Sequence, residues 1–174
     1  MMRHLTPADY TAMPWANGRG TTVEMLREVG PDGGLLLRFS MASVVEDGPF
    51  SIFPGVERNL TVISGPGFDL AGETRIKASP LVPVAFPGDV PIAAVGVTGP
   101  SDDFNVMTAR ALPSPDVEVI HMGEVNPPPF GRLAVFALHA GSVANLPVGK
   151  HELILTDEKT RLSCGPFIVV RLAF

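Results

Sequence analysis

Cysteine, tryptophan and tyrosine each occur once in the 174 residues of this chain. The single cysteine, Cys164, cannot close an intrachain disulfide, which excludes a disulfide-stapled secreted scaffold. Ser163 before it and Gly165-Pro166 after it mark a strand end or turn. No His or Asp stands beside it in sequence to lower its pKa, so it reads as a small buried thiol rather than a nucleophile. Charge is also scarce: 18% of residues are charged and the net charge is −5. An acidic chain with few lysines lacks the dense basic surface that nucleic acid requires. No apolar run approaches the length of a membrane-spanning helix, so no membrane partner is expected. The N-terminus, Met1-Met2-Arg3-His4-Leu5-Thr6-Pro7, lacks the apolar stretch of a signal peptide, and the expected location is cytoplasmic. The histidines, His4, His121, His139 and His151, are scattered without metal-ligand spacing and read as surface or hydrogen-bonded imidazoles.

What is abundant is hydrophobic residues, at 45%, with 18 glycines and 18 prolines. The chain is therefore globular, and long enough for one substantial core or two small barrels. Short apolar runs rich in Val, Ile, Leu and Phe cover Leu35 to Val45, Leu60 to Ser64, Val82 to Phe86, Ile92 to Val97, Phe104 to Thr108, Val117 to Met122, Leu133 to Leu138, Glu152 to Thr156 and Pro166 to Phe174. Turn residues separate them, which is the pattern of an all-β sandwich or barrel. One helical turn is expected, Pro7 to Tyr10, with Thr6 as its N-cap. In Leu37-Arg38-Phe39-Ser40-Met41 the apolar residues share one face and Arg38 and Ser40 the other, so the polar face either lines a lumen or is solvated. A weak echo links Leu60–Leu70 with Val135–Leu146: an apolar strand, a glycine turn, and a second strand ending in Leu. Gly-Pro-Phe recurs at Gly48 and Gly165. Duplicated units would produce both features. The connection Pro113-Ser-Pro-Asp116 is too short to separate independent domains, so one compact body is expected.

The segment Gly48-Pro-Phe-Ser-Ile-Phe-Pro-Gly-Val-Glu-Arg58, running on to Gly65, reads as loop, strand and tight turn. Its spacing resembles the first motif of the cupin barrels, a His-x-His pair followed by Glu and Gly. Counted back from Gly65, Arg58 stands at the Glu position, and Ser51 and Phe53 stand at the two His positions. The best match to the second cupin motif is Phe86-Pro87-Gly88-Asp89, which puts Pro91 at the His position and Val95 at the Asn position. A metal site needs imidazoles and carboxylates converging on one cation. Here both motifs lack their ligands, and no metal or other cofactor is expected. Four further blocks carry a wider resemblance: Trp15-Ala-Asn17-Gly18-Arg-Gly20-Thr21-Thr22-Val-Glu24, Arg38-Phe-Ser40-Met-Ala42-Ser-Val, Gly48 to Arg58, and Asp103-Phe104-Asn105-Val106-Met107-Thr-Ala-Arg110. In order and spacing these are similar to the HutD/Ves family. That resemblance implies a bicupin, two cupin-like β-barrels or sandwiches in one chain, the first half at roughly residues 10–110 and the second at roughly 111–174. It also implies a bacterial cytoplasmic protein connected with histidine utilisation.

Within these blocks the candidate ligand-binding residues are Trp15, Asn17, Arg38, Ser40, Ser51, Phe53, Arg58, Asn105 and Met107; no catalytic residue is assigned. Trp15 either walls a pocket or plugs the end of a barrel, and Asn17, with the amides near Gly18 and Gly20, is a hydrogen-bond donor. Gly18-Arg19-Gly20 is not a phosphate loop, since no Lys-Ser/Thr follows it. Arg38 lies mid-strand, where a charge is costly unless it is paired or faces a lumen. Arg38 and Arg58 either hold a carboxylate through their planar donors or pair with Glu24, Glu46 or Glu57. Asn105 and Met107 share a face, and Arg110 is a third basic candidate. The expected function is metal-free binding of a small carboxylate metabolite, with urocanate and formylglutamate suggested by the resemblance, in a regulatory or moderating role. The alternatives are a metal-independent enzyme using Glu24, Glu57 or Asp103, or a protein-interaction module. A homodimer through exposed strand edges is the expected assembly.

Overall fold

The computed structural model describes residues 1–18 and 20–174; Arg19 lies outside the described residues. The chain forms two units, one of Thr11–Ala111 and one of Met1–Tyr10 with Leu112–Phe174. In chain order the strands are β1 (Met2–Leu5), β2 (Thr11–Pro14), β3 (Thr21–Val29), β4 (Leu35–Val44), β5 (Gly48–Pro49), β6 (Val56–Ser64), β7 (Phe68–Ala71), β8 (Arg75–Ala78), β9 (Val84–Pro87), β10 (Ala93–Val95) and β11 (Ser101–Ala109). They continue as β12 (Asp116–Ile120), β13 (Gly123–Val125), β14 (Arg132–Ala137), β15 (Gly141–Val143), β16 (Leu146–Val148), β17 (Leu153–Thr156), β18 (Thr160–Ser163) and β19 (Phe167–Leu172). The expected early turn is a single 3-10 turn, Pro7–Asp9, whose Asp9 carboxylate accepts from the Thr6 amide at 2.8 Å and the Thr6 hydroxyl at 3.0 Å. No helix among the described residues is long and apolar enough to cross a membrane.

The Thr11–Ala111 unit stacks a six-stranded sheet, β2-β3-β4-β11-β6-β9, against a four-stranded sheet, β5-β10-β7-β8. Between them Val44, Leu60, Val62 and Phe86 of the first pack with Phe68, Leu70, Ala78 and Ala94 of the second. Alternation explains this: β-strand side chains point to opposite faces with period two, so Leu60 and Val62 of β6 enter the same interior. On the other face of the large sheet Leu37, Phe39, Phe104 and Val106 are also buried, and the Phe39 and Phe104 rings stack at 5.8 Å. Gly65, after β6, adopts φ +84°, and a Cβ there would meet the Pro100 carbonyl oxygen at 2.2 Å. Only glycine fits that turn.

The other unit repeats the plan with a five-stranded sheet, β1-β17-β14-β19-β12, and a four-stranded sheet, β13-β18-β15-β16. Met1–Tyr10 belongs here because β1 pairs with β17 from Met2↔Thr156 to Leu5↔Leu153. Its interior packs Leu133, Val135, Ile154, Leu162, Phe167 and Val169. The sequence echo has a partial structural counterpart: β6 and β14 lie in the large sheets and each is followed by a small-sheet strand, β7 or β15, but the glycine lies in the turn only after β6, since Gly141 is already the first residue of β15. The second copy is shorter than the echo suggests, since Leu146 already begins β16. The two Gly-Pro-Phe triplets are not equivalent: one forms β5 of a small sheet, the other leads into β19 of a large one. Cys164 is exposed, not buried. It occupies a left-handed turn, φ 61°, between β18 and β19, and the turn holds its side chain outward.

Candidate functional site

Three neighbouring strands of the six-stranded sheet, β4, β11 and β6, build one wall of a cavity of about 380 Å³. Period-two alternation sends Arg38, Ser40 and Ala42 of β4 into it, with Asp103, Asn105 and Met107 of β11 and Arg58 of β6. Register aligns them in rows. Met107 is opposite Arg38 on one side and Arg58 on the other; Asn105 is opposite Ser40 and Leu60; Asp103 is opposite Ala42 and Val62. A pair of arginines thus flanks a thioether at one level, with an amide and a carboxyl at the next two. The volume suits a small metabolite.

The mouth is made by loops. Trp15 Nε1 donates to the Thr22 hydroxyl at 2.9 Å, and the Trp15 ring lies flat on Gly20, where a Cβ would meet ring carbons at 2.8 Å. Glycine at that position lets the indole wall the cavity. Asn17 and Ser51 line it as exposed residues and Phe53 as a half-buried one. All nine residues singled out from the sequence therefore line one cavity. The Gly18 amide is not directed to it, because it donates to the Trp15 carbonyl at 3.0 Å.

The two arginines differ. Arg38 Nε donates to Glu24 Oε2 at 2.6 Å, so its charge is largely matched by an acid on β3. Arg58 is 6% exposed, donates from Nη2 to Asn105 Oδ1 at 2.8 Å, and has an Nε without a partner among the described residues. Its guanidinium sits 5.1 Å from the Phe50 and Phe86 ring centroids and 5.6 Å from that of Phe53. Ring faces attract a cation, though less strongly than a carboxylate does. Burial lowers the Arg58 pKa to about 10, with the Asp103 charge opposing that fall. At neutral pH it remains a cation.

Asp103 is the residue the sequence reading missed as part of the binding site. It is fully buried; its Oδ1 accepts from Asn105 Nδ2, and its Oδ2 has no partner. Burial pushes its pKa up to about 7 against the pull of Arg58 and the Asn105 hydrogen bond. The signal was available: Asp103, Asn105 and Met107 alternate on one face, but Asp103 reads as the start of the strand rather than a residue within it. Phe50 and Phe86 were missed because only the fold brings them over Arg58.

Arg110 is not a third basic group of the site. It is exposed and held by Glu57 and, through two hydrogen bonds of 2.8 and 2.7 Å, by Asp89. Those contacts keep the Asp89 pKa low, at about 2. Glu57 is thereby removed from the cavity chemistry. Pro91 borders a separate shallow pocket with Phe50 and Ile52. At the positions where a cupin would hold its metal the cavity offers a hydroxyl, a phenyl ring and a buried guanidinium. A fixed cation among the would-be ligands repels a divalent ion, so these residues do not fit a metal. Among the described residues no three His, Cys, Asp or Glu side chains group as metal ligands.

Two sandwich units of antiparallel strands, one enclosing a polar cavity, define a bicupin. Its sequence matches the HutD family over residues 7–164, and the chain belongs to that family. The structure of HutD from Pseudomonas fluorescens SBW25, obtained in a formate condition, superposes with a TM-score of 0.87 at 28% identity, covering 99% of this chain and 98% of that one. A conserved protein of unknown function from Pseudomonas aeruginosa PAO1 gives 0.82 at 27% identity, covering 98% and 96%. A 21.2 kDa protein from the hutC 3′ region of Pseudomonas putida is 37% identical over 109 residues, 60% of this chain. The match spans 57% of that relative's length.

Proposed function

We propose that this protein is a metal-free binding protein for a small carboxylate metabolite, and that ligand occupancy moderates histidine utilisation. The observation that carries the reading is Arg58. Burying a guanidinium without a carboxylate partner is costly, and here Arg58 lines the cavity while its buried Nε is left without a hydrogen bond. A ligand carboxylate would supply the missing acceptor in the planar geometry arginine favours. Trp15 and Phe53 would pack on its apolar part, while Ser40 and Asn105 supply hydrogen bonds and Arg38, already paired, adds to the positive potential. The hutC 3′-region relative supports the metabolic setting.

Calorimetry with urocanate, N-formylglutamate and formate tests this. One of the three binds, with an affinity indifferent to a chelator, and Arg58→Ala weakens it by about 1.5–3 kcal/mol, the worth of a charge-assisted hydrogen bond. A folded Arg58→Ala protein with unchanged affinity would refute the assignment. A second reading, metal-independent catalysis, is favoured by one observation: a cavity carboxyl, Asp103, with a pKa near the operating pH of a general acid–base. Turnover of either metabolite, followed by absorbance and lost in Asp103→Asn while binding survives, would establish it.

A further inference from the structure

Arg58 accounts for one end of a carboxylate ligand; Asp103 lies on the same wall with no part in that contact. We propose that Asp103 is a second ligand-binding group, which acts as the neutral carboxylic acid and donates its Oδ2 proton to an oxygen at the ligand's other end. The ligand class is then a short molecule with two oxygen-bearing ends, a dicarboxylate or a carboxylate carrying an acyl carbonyl. Above the Asp103 pKa it binds together with one proton drawn from solvent. This rests on the carboxylate reading of the cavity given above and adds the second contact and its proton.

The geometry is specific. Arg58 Nη2 donates to Asn105 Oδ1, and Asn105 Nδ2 donates to Asp103 Oδ1. Because arginine can only donate, the Asn105 amide is fixed with its oxygen toward Arg58 and its nitrogen toward Asp103. One amide therefore spaces the two groups, and each keeps an unpartnered polar atom, Arg58 Nε and Asp103 Oδ2. A donor left unpaired at one end and a carboxyl oxygen at the other form a bipolar frame. Ionised Asp103 would repel a second ligand oxygen; protonated, it can donate to one.

The groups around it are accounted for. On β6 the charge is Arg58, with Val62 directly opposite Asp103. On β4 it is Arg38, matched by Glu24 of β3, with Ala42 directly opposite. On β11 the neighbouring Asp102 accepts from the hydroxyls of Ser43 and Ser64, and its charge also favours the protonated form of Asp103. Burial is the dominant cause of that preference.

The test uses glutarate and butyrate, which is glutarate lacking its second carboxylate, titrated calorimetrically into the 174-residue protein. Both probes are ionised at the working pH values, from about 6.5 to about 8.5. Glutarate binds more tightly than butyrate at the lower pH, and its affinity falls about tenfold per pH unit above the Asp103 pKa. In buffers of different ionisation enthalpy its binding heat reports proton uptake. Asp103→Asn, which can still donate an N–H, keeps glutarate binding but loses both the pH slope and the proton uptake. If glutarate binds wild type with no proton uptake at about pH 8.5 and a flat pH profile, the proposal for Asp103 is wrong while the carboxylate reading stands. If neither glutarate nor butyrate binds, nor any probe of the previous section, both are wrong. Should the variant fail to fold, the wild-type buffer series alone still decides.

Discussion

Replacing Asp103 with asparagine is expected to change how stability depends on pH, with a magnitude set by the carboxyl's burial. In the folded protein burial pushes its pKa up to about 7, from an ordinary value of 3.8. A carboxyl raised in this way contributes stability in full below its unfolded pKa and loses it as pH rises through the folded one. Between these values the folded chain holds a proton that the unfolded chain has released. Each pH unit in that window costs about 1.4 kcal/mol. From about pH 5 to about pH 8 wild type should therefore lose roughly 3 kcal/mol that the variant does not lose. The asparagine carbonyl can keep the bond from Asn105. Its amide would stand in place of Oδ2 without a partner, at about 1–3 kcal/mol, but that cost is the same at both pH values and cancels. Urea unfolding of both proteins at the two pH values gives the comparison. The variant gains on wild type as pH rises. An offset that stays constant would show that Asp103 titrates normally, and with it would go the argument that this wall is dry enough to hold a neutral acid.

Further outcomes follow from particular contacts. Trp15 is the chain's one tryptophan and walls the cavity, so its fluorescence should change on titration with a bound carboxylate in wild type and not in Arg58→Ala; identical responses would place the ligand elsewhere. Gly65→Ala should destabilise by more than about 1 kcal/mol in urea unfolding, since it combines a left-handed φ with a Cβ driven onto the Pro100 carbonyl. Leu162→Ala, in the apolar interior of the other unit, should cost about 2–5 kcal/mol of stability yet leave carboxylate affinity unchanged in the folded fraction. A matching fall in affinity would mean that the cavity depends on packing in both units.

The fold was legible wherever strands are apolar. Runs such as Leu35 to Val45 and Leu133 to Leu138 cover β4 and all of β14 but Arg132, because residues on both faces of these strands are buried or partly buried, leaving a dense hydrophobic signature. Among the strands outside those runs, the longer β3 (Thr21–Val29), in the six-stranded sheet, carries charged and hydroxyl residues that break its apolar run. β8 (Arg-Ile-Lys-Ala) and β13 (Gly-Glu-Val) are short and polar members of the four-stranded sheets, where sheet partners, not local composition, make them strands. β1 was missed for the same reason: it is fixed by β17, more than a hundred residues away in sequence.

The site was legible to the extent that it is written in alternation. Arg38 with Ser40, and Asn105 with Met107, declare a polar face inside an otherwise apolar strand, and a polar face buried by both sheets must become either a paired network or a cavity. Which of these each arginine joined was not legible. It depends on register, which sets Arg38 within reach of Glu24 across one bulged pair of strands and leaves Arg58 among Phe50, Phe53 and Phe86. Aromatic rings can hold a guanidinium in a dry place without neutralising it. That is why Arg58 keeps its charge in a buried place. It is also why the carboxyl beside it cannot be a permanent counter-ion: with Asp103 ionised the cavity approaches neutrality, and with Asp103 protonated it is cationic. Lowering pH through the Asp103 titration should therefore raise carboxylate affinity, read by calorimetry, and not merely stability; an affinity that stays flat across that titration would refute this.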